Sequence, residues 1–185
     1  MVYIKKAFSL LEIIVVLGIT AAVMSGGVLA LIRFQDSAEF NRYFSDTVSL
    51  IKTTQNRSYN GVLSQTKSLA LGGNALESVP EYYAIIIDEN DDSIGLYYCD
   101  ETLTGILSCF REQEILVIDF PSDIQVSSTG CSGVGFKTLN PDIILINSNG
   151  TFTTNGVCEI TLTHTNLNRN NTLEFNADNN VFELN

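Results

Sequence analysis

The chain has 185 residues, 45% of them hydrophobic, with 21 acidic against 10 basic side chains and a formal charge of −11. That length accommodates one anchor and one domain with its own core, but hardly two domains. A surface so acidic repels phosphate backbones, which proteins hold with clustered Lys and Arg, so the balance argues against nucleic acid as a partner.

The first element is an apolar helix. After Lys5 and Lys6, the stretch from Phe8 to Ile32 carries one ionisable side chain, Glu12. A helix of that length rises about 37 Å, enough to cross a hydrocarbon core of about 30 Å. The lysines before it, set against Arg33, Asp36 and Glu39 after it, favour a cytoplasmic N-terminus and place everything beyond Arg33 outside. A secretory signal peptide has the same polarity. Its apolar middle normally spans about 7–15 residues, however, and ends in a small-residue cleavage triplet. The run here is longer, and no A-x-A follows it. A plain single-pass anchor fits the length but leaves Glu12 unexplained, because a charge near the bilayer centre costs roughly 2.5–3.5 kcal/mol on insertion scales.

The residues K-K-A followed by F-S-L-L-E-I-I-V-V-L-G-I resemble the class III leader of type IV pilins and type II secretion pseudopilins, over about 25 residues. The resemblance implies that a prepilin peptidase cuts between Ala7 and Phe8 on the cytoplasmic side and methylates the new Phe8 amine. It also implies that Glu12, at the fifth mature position, acts in filament assembly. The residue before the cut is usually Gly in this family and is Ala7 here. Electrostatics supports the same assignment. A freed α-amine has a reference pKa of about 7.7–8.0 and keeps its charge on methylation. At about 4 Å and an effective dielectric of 20 it attracts a carboxylate by roughly 4 kcal/mol, which offsets the burial penalty. The partner amine is either the helix's own, four residues away, or that of a neighbouring subunit. The first is a simple acid at a helix N-terminus. The second is what the resemblance implies, and it helps set the axial stagger of a helical filament. Gly18, Gly26 and Gly27 each cost about 1 kcal/mol relative to Ala in a helix interior. Close packing of membrane helices is one use for them. Filament pilins often carry Pro in this zone and lose helix there on assembly; this chain has none, which makes Gly26-Gly27 the candidate for a melted segment.

Beyond Arg33, Phe34, Ala38, Phe40, Phe44, Val48 and Ile51 recur near a 3.6-residue period, with charged residues mainly between them. The helix is expected to continue as an amphipathic half over 34–61, its stripe buried against a globular domain, and to end near Asn56, Asn60 and Gly61. The expected organisation is a leader over 1–7, a transmembrane helix over 8–33, this continuation over 34–61, a loop over 62–79 and a β-rich extracytoplasmic head over 80–185. After Pro80, the runs YYAIIID, IGLYYC, ILSCF, EILVIDF, DIQVSS, VGFKT, DIILINS, GTFTT, VCEITLTH, TLEFN and NVFEL read as strands separated by turn signals. No helical segment separates them, so the fold class is α+β: a long N-terminal helix packed on an antiparallel two-sheet domain. TLEFN and NVFEL form a hairpin candidate with Asp178-Asn179 in its turn. A long helix on such sheets is similar to the GspH/FimT group of minor pilins and pseudopilins.

Cys99, Cys109, Cys131 and Cys158 all fall on the side expected to face outward, where disulfides persist. Four cysteines allow three connectivities. A hairpin centred near Thr104 would set YYC against SCF and favours Cys99 with Cys109, leaving Cys131 with Cys158. A zinc site is the rival, but the chain has no C-x-x-C pair, and its one histidine, His164, sits in an alternating strand pattern. Asp88, Asn90 and Asp92 have the spacing of the first ligands of an EF-hand loop, but Ser93 and Cys99 stand where Gly and the bidentate Glu are needed. A solvated turn is the simpler reading of that cluster. Ser64-Gln65-Thr66-Lys67 fits S-x-x-K without the companion motifs. No catalytic residue, metal or cofactor is expected.

The resemblance thus implies a non-enzymatic filament subunit, of a minor kind in the GspH/FimT group. Its implied partners are other pilin or pseudopilin subunits, prepilin peptidase, the inner-membrane assembly platform and the cytoplasmic membrane. It would be held in that membrane by one span, with its N-terminus in the cytoplasm and its head outside, until extracted into a pilus or pseudopilus. The alternative is a membrane-anchored, pilin-like binding module whose head recognises secreted cargo, a surface or DNA. FimT-type DNA uptake pilins use a basic C-terminal patch, whereas the tail FNADNNVFELN carries acids and no bases.

Overall fold

One helix, α1 (Leu10–Tyr59), runs for 50 residues and belongs to two compact units, Met1–Glu39 and Phe40–Asn185. The computed structural model describes residues 10–62, 79–102, 105–111, 117–140 and 142–184. The expected leader over 1–7 and nearly all of the loop over 62–79 lie outside the described residues.

In the second unit α1 buries one face. Phe40, Thr47, Leu50, Ile51, Thr54 and Ser58 are buried and recur at helical spacing, with Tyr43, Phe44 and Val48 half-buried beside them. This corrects the expected stripe at both ends. Phe34 is 72% exposed and Ala38 is exposed, since both precede the point where α1 joins the second unit. Three hydroxyl residues that hydropathy passes over belong to the buried face. Each hydroxyl has an acceptor, as burial requires. Thr47 donates to the Tyr43 carbonyl at 2.9 Å and Thr54 to that of Leu50 at 2.8 Å. Ser58 Oγ lies 3.0 Å from the Phe136 carbonyl and 2.6 Å from that of Lys137.

The helix ends in a Schellman arrangement. The Gly61 N–H bonds to the Ser58 carbonyl at 3.1 Å and the Val62 N–H to that of Arg57 at 3.0 Å. Gly61 supplies the left-handed residue at φ 57°. A Cβ there would stand 2.9 Å from Leu139 Cδ2. Gly61→Ala is therefore expected to lower stability by about 1–2 kcal/mol, the left-handed penalty for a residue with a Cβ. Urea unfolding followed by circular dichroism measures it, and an unchanged midpoint would contradict this account of the cap.

The strands are β1 (Tyr82–Asp88), β2 (Ser93–Glu101), β3 (Leu107–Arg111), β4 (Val117–Asp119), β5 (Ile124–Thr129), β6 (Gly133–Lys137), β7 (Ile143–Ile146), β8 (Phe152–Thr153), β9 (Val157–His164), β10 (Arg169–Asn176) and β11 (Val181–Leu184). Among the described residues they form two antiparallel sheets. One has seven strands in the order β3-β2-β1-β6-β7-β8, with β4 also paired to β2; the other has four in the order β11-β10-β9-β5. The α+β class, one long helix packed with a two-sheet antiparallel domain, is therefore observed.

Alternation by two sorts the larger sheet into its faces. Tyr83, Ile85 and Ile87 of β1, with Ile143 and Leu145 of β7, join the core shared with α1 and the four-stranded sheet. Tyr82 and Ala84, with Ile144 and Ile146, turn to the outer face and form a second apolar cluster around Cys99 and Leu107. Three hairpins close through a left-handed Asp or Asn just before the second strand: Asp92, Asn168 and Asn180. These residue types tolerate that conformation because their short side chains bond locally. The last hairpin, with Asn176 opposite Val181, has Asp178 and Asn179 in its turn. Asn180 also reaches the other sheet, its Oδ1 accepting the Ile143 N–H at 2.8 Å.

Candidate functional site

The first unit is a stretch of α1 without a covering partner among the described residues. Leu10, Leu11, Ile13, Val16, Leu17, Val23 and Met24 are each at least half exposed. This helix contains a stretch long and apolar enough to cross a membrane. The Thr20 hydroxyl, a polar group in that stretch, is satisfied within the helix by the Val16 and Leu17 carbonyls at 3.0 Å each. Glu12 is the exception. It occupies the first turn of α1 and is exposed. Downstream, the next basic residue is Arg33, roughly 31 Å further along a helix and beyond any useful attraction; Lys5 and Lys6 lie outside the described residues. Ala7 and Phe8, where cleavage and methylation were expected, lie outside the described residues.

Gly18, Gly26 and Gly27 are helical, and α1 runs through them without a break. No atom lies within 4 Å of where a Cβ would stand on any of the three. Their helix penalty is therefore not offset by packing among the described residues.

In the head the four cysteines form two disulfides, Cys99 with Cys109 and Cys131 with Cys158. Cys99 faces Cys109 directly in the β2–β3 register. No free thiol is left to ligate a metal, and among the described residues no three His, Cys, Asp or Glu side chains converge. His164 is buried between Asp123 and the Leu167 backbone: its Nε2 lies 3.3 Å from Asp123 Oδ2, and its Nδ1 accepts the Leu167 N–H at 3.4 Å. Its ring meets Phe40 edge-on at 5.8 Å, and the Arg169 guanidinium lies 5.5 Å from the Phe40 centroid. Both ring nitrogens are thus engaged, one with Asp123 just before β5 and one with the turn after β9, while the ring itself packs on Phe40 of α1. Burial, followed by the nearby Glu101, Glu81 and Asp142 carboxylates, holds the Tyr82 phenol above its ordinary pKa.

The acidic turn does more than a solvated turn would. Asp88 Oδ1 accepts the Asn90 N–H at 3.0 Å, closing the turn on itself. Asp92 Oδ1 accepts the Val126 N–H at 3.1 Å, and Glu89 Oε1 accepts both the N–H and the hydroxyl of Ser128 at 2.7 Å. Val126 and Ser128 lie on β5, the edge of the four-stranded sheet. The turn therefore caps an open strand edge with carboxylates, one of the ways proteins guard such edges against foreign pairing. Composition marks these acids, but it gives no hint that they reach a strand more than thirty residues away. Ser64 and Lys67 of the S-x-x-K match lie outside the described residues.

No family model, curated protein or solved structure matches this chain.

Proposed function

We propose that the chain is a non-enzymatic structural subunit of a type IV pilus or type II secretion pseudopilus, of the minor GspH/FimT kind. It is anchored in the cytoplasmic membrane by α1, matured by prepilin peptidase between Ala7 and Phe8, and assembled with other pilin or pseudopilin subunits on an inner-membrane platform. The observation that carries this reading is Glu12, one carboxylate in an exposed apolar helix that holds no cation between it and Arg33, and from which the proposed cut would remove Lys5 and Lys6. An acid in that setting needs a charge supplied from outside the segment. A newly cut and methylated chain end four residues upstream, or the same end of an adjacent copy, supplies it.

Two further features support the reading. The apolar half of α1 leads without a break in helix into the amphipathic half that buries in the head. Both disulfides lie in the head, as suits a domain held outside the cytoplasm. Shearing cells and probing the released filaments with an antibody to the head tests the assignment. The head is expected in the sheared fraction of cells that have prepilin peptidase and only in the membranes of cells that lack it. Confinement to the membrane in both would overturn the filament role.

A further inference from the structure

We propose that the head also binds an extended peptide segment of a partner protein, one that carries Lys or Arg beside apolar side chains, in a groove on the outer face of the seven-stranded sheet. The groove holds about 610 Å³, within the roughly 300–1,000 Å³ range of ligand sites. Strand register explains why it is there. Ile86 of β1 lines the groove, and the two positions paired with it on either side, Gly95 of β2 and Gly133 of β6, carry no side chain. Tyr97 rises on one side, its ring 3.0 Å from where a Gly95 Cβ would stand. Ile146, paired with Gly133, rises on the other.

One wall is acidic, and among the described residues no Lys, Arg or His lines the groove. Asp88 and Glu89 are exposed but held in place, because each uses one oxygen in the turn bonds described above. Fixed carboxylates are prepared to accept a cation without a further cost in ordering. The surroundings are equally fixed. Cys109 and Cys131 on the lining belong to the two disulfides, and the Leu107 N–H bonds to the Gly150 carbonyl at 2.9 Å, joining β3 to the turn before β8. Charge complementarity therefore selects a basic segment and excludes phosphates and acidic peptides. The apolar floor selects a peptide with aliphatic neighbours over a bare polyamine. This inference does not depend on the filament reading.

Fluorescence anisotropy tests it with the full chain in zwitterionic lipid nanodiscs and a labelled octapeptide of alternating Leu and Arg. The expected results are saturable, salt-sensitive binding and an affinity at least tenfold lower for a twin peptide with Glu in place of Arg. Asp88→Asn with Glu89→Gln should weaken binding about tenfold. Both amides keep an oxygen that can accept the Asn90 and Ser128 N–H groups, and circular dichroism checks the fold. Tyr97→Ser, which leaves the charges intact, should also weaken binding, whereas Glu183→Gln on β11 should not. Equal binding of the two peptides, wild-type affinity in the double variant, absence of saturable binding, or displacement by spermidine or a neutral oligosaccharide at comparable concentration would each overturn the proposal.

Discussion

Glu12→Ala is expected to leave the protein inserted in the membrane and its head folded, yet to reduce its incorporation into filaments by roughly thirtyfold. At about 4 Å and an effective dielectric of 20, Glu12 and a Phe8 ammonium attract by roughly 4 kcal/mol before desolvation is counted. If half of that survives, about 2 kcal/mol is lost per subunit, which corresponds to a factor of roughly thirty. The substitution removes a charge from the apolar segment, so insertion itself should become easier. Membrane yield and filament yield thus move in opposite directions, which separates an assembly defect from a protein that merely fails to insert or fold. Quantitative blotting of membrane and sheared fractions reads both. Unchanged incorporation would remove the pairing from the account.

Removing the Cys131–Cys158 bridge by double substitution to Ala is expected to destabilise the head by about 3.6 kcal/mol, from the chain-entropy relation for a loop of that length. The corresponding loss for Cys99–Cys109 is about 2.8 kcal/mol on the same relation, because its sequence separation is 10 rather than 27. Burial does not separate the two bridges: Cys158 lies in the core shared with α1 and Cys99 in the outer cluster, and both are fully buried. Urea unfolding of each double variant under non-reducing conditions gives the order directly. A larger loss for the Cys99–Cys109 variant would contradict this division of roles.

The fold could be read from the sequence wherever period and local turn chemistry agree. YYAIIID and IGLYYC are strands because β-branched and aromatic residues fill both faces, and the Asp-rich turn between them closes a hairpin. The last hairpin is readable for the same reason. Where polar residues do apolar work, the pattern fails. Thr47, Thr54 and Ser58 lie on the buried face of α1, since a hydroxyl that bonds its own helix or a facing carbonyl can be buried at little cost. Conversely, Phe34 fits the stripe by spacing and is exposed. β10 begins at Arg169, through polar residues that no strand pattern marks, because pairing with β9 and not side-chain burial defines its first turns of ladder. Sheet order, the capping of β5 by Asp92 and Glu89, and the pairing that sets Ile86 of the groove between Gly95 and Gly133 all depend on contacts between distant segments, which no local period encodes.

Glu12 could be found in the sequence for the opposite reason: a lone charge in an apolar run stands out without any tertiary information. The central claim is that this acid meets a positively charged chain end made by proteolysis. Mass spectrometry of the N-terminus of the protein isolated from its native membranes tests that claim most directly. The mature chain is predicted to begin at Phe8 with a methylated amine. A chain that still begins at Met1, or at any residue before Phe8, would contradict it.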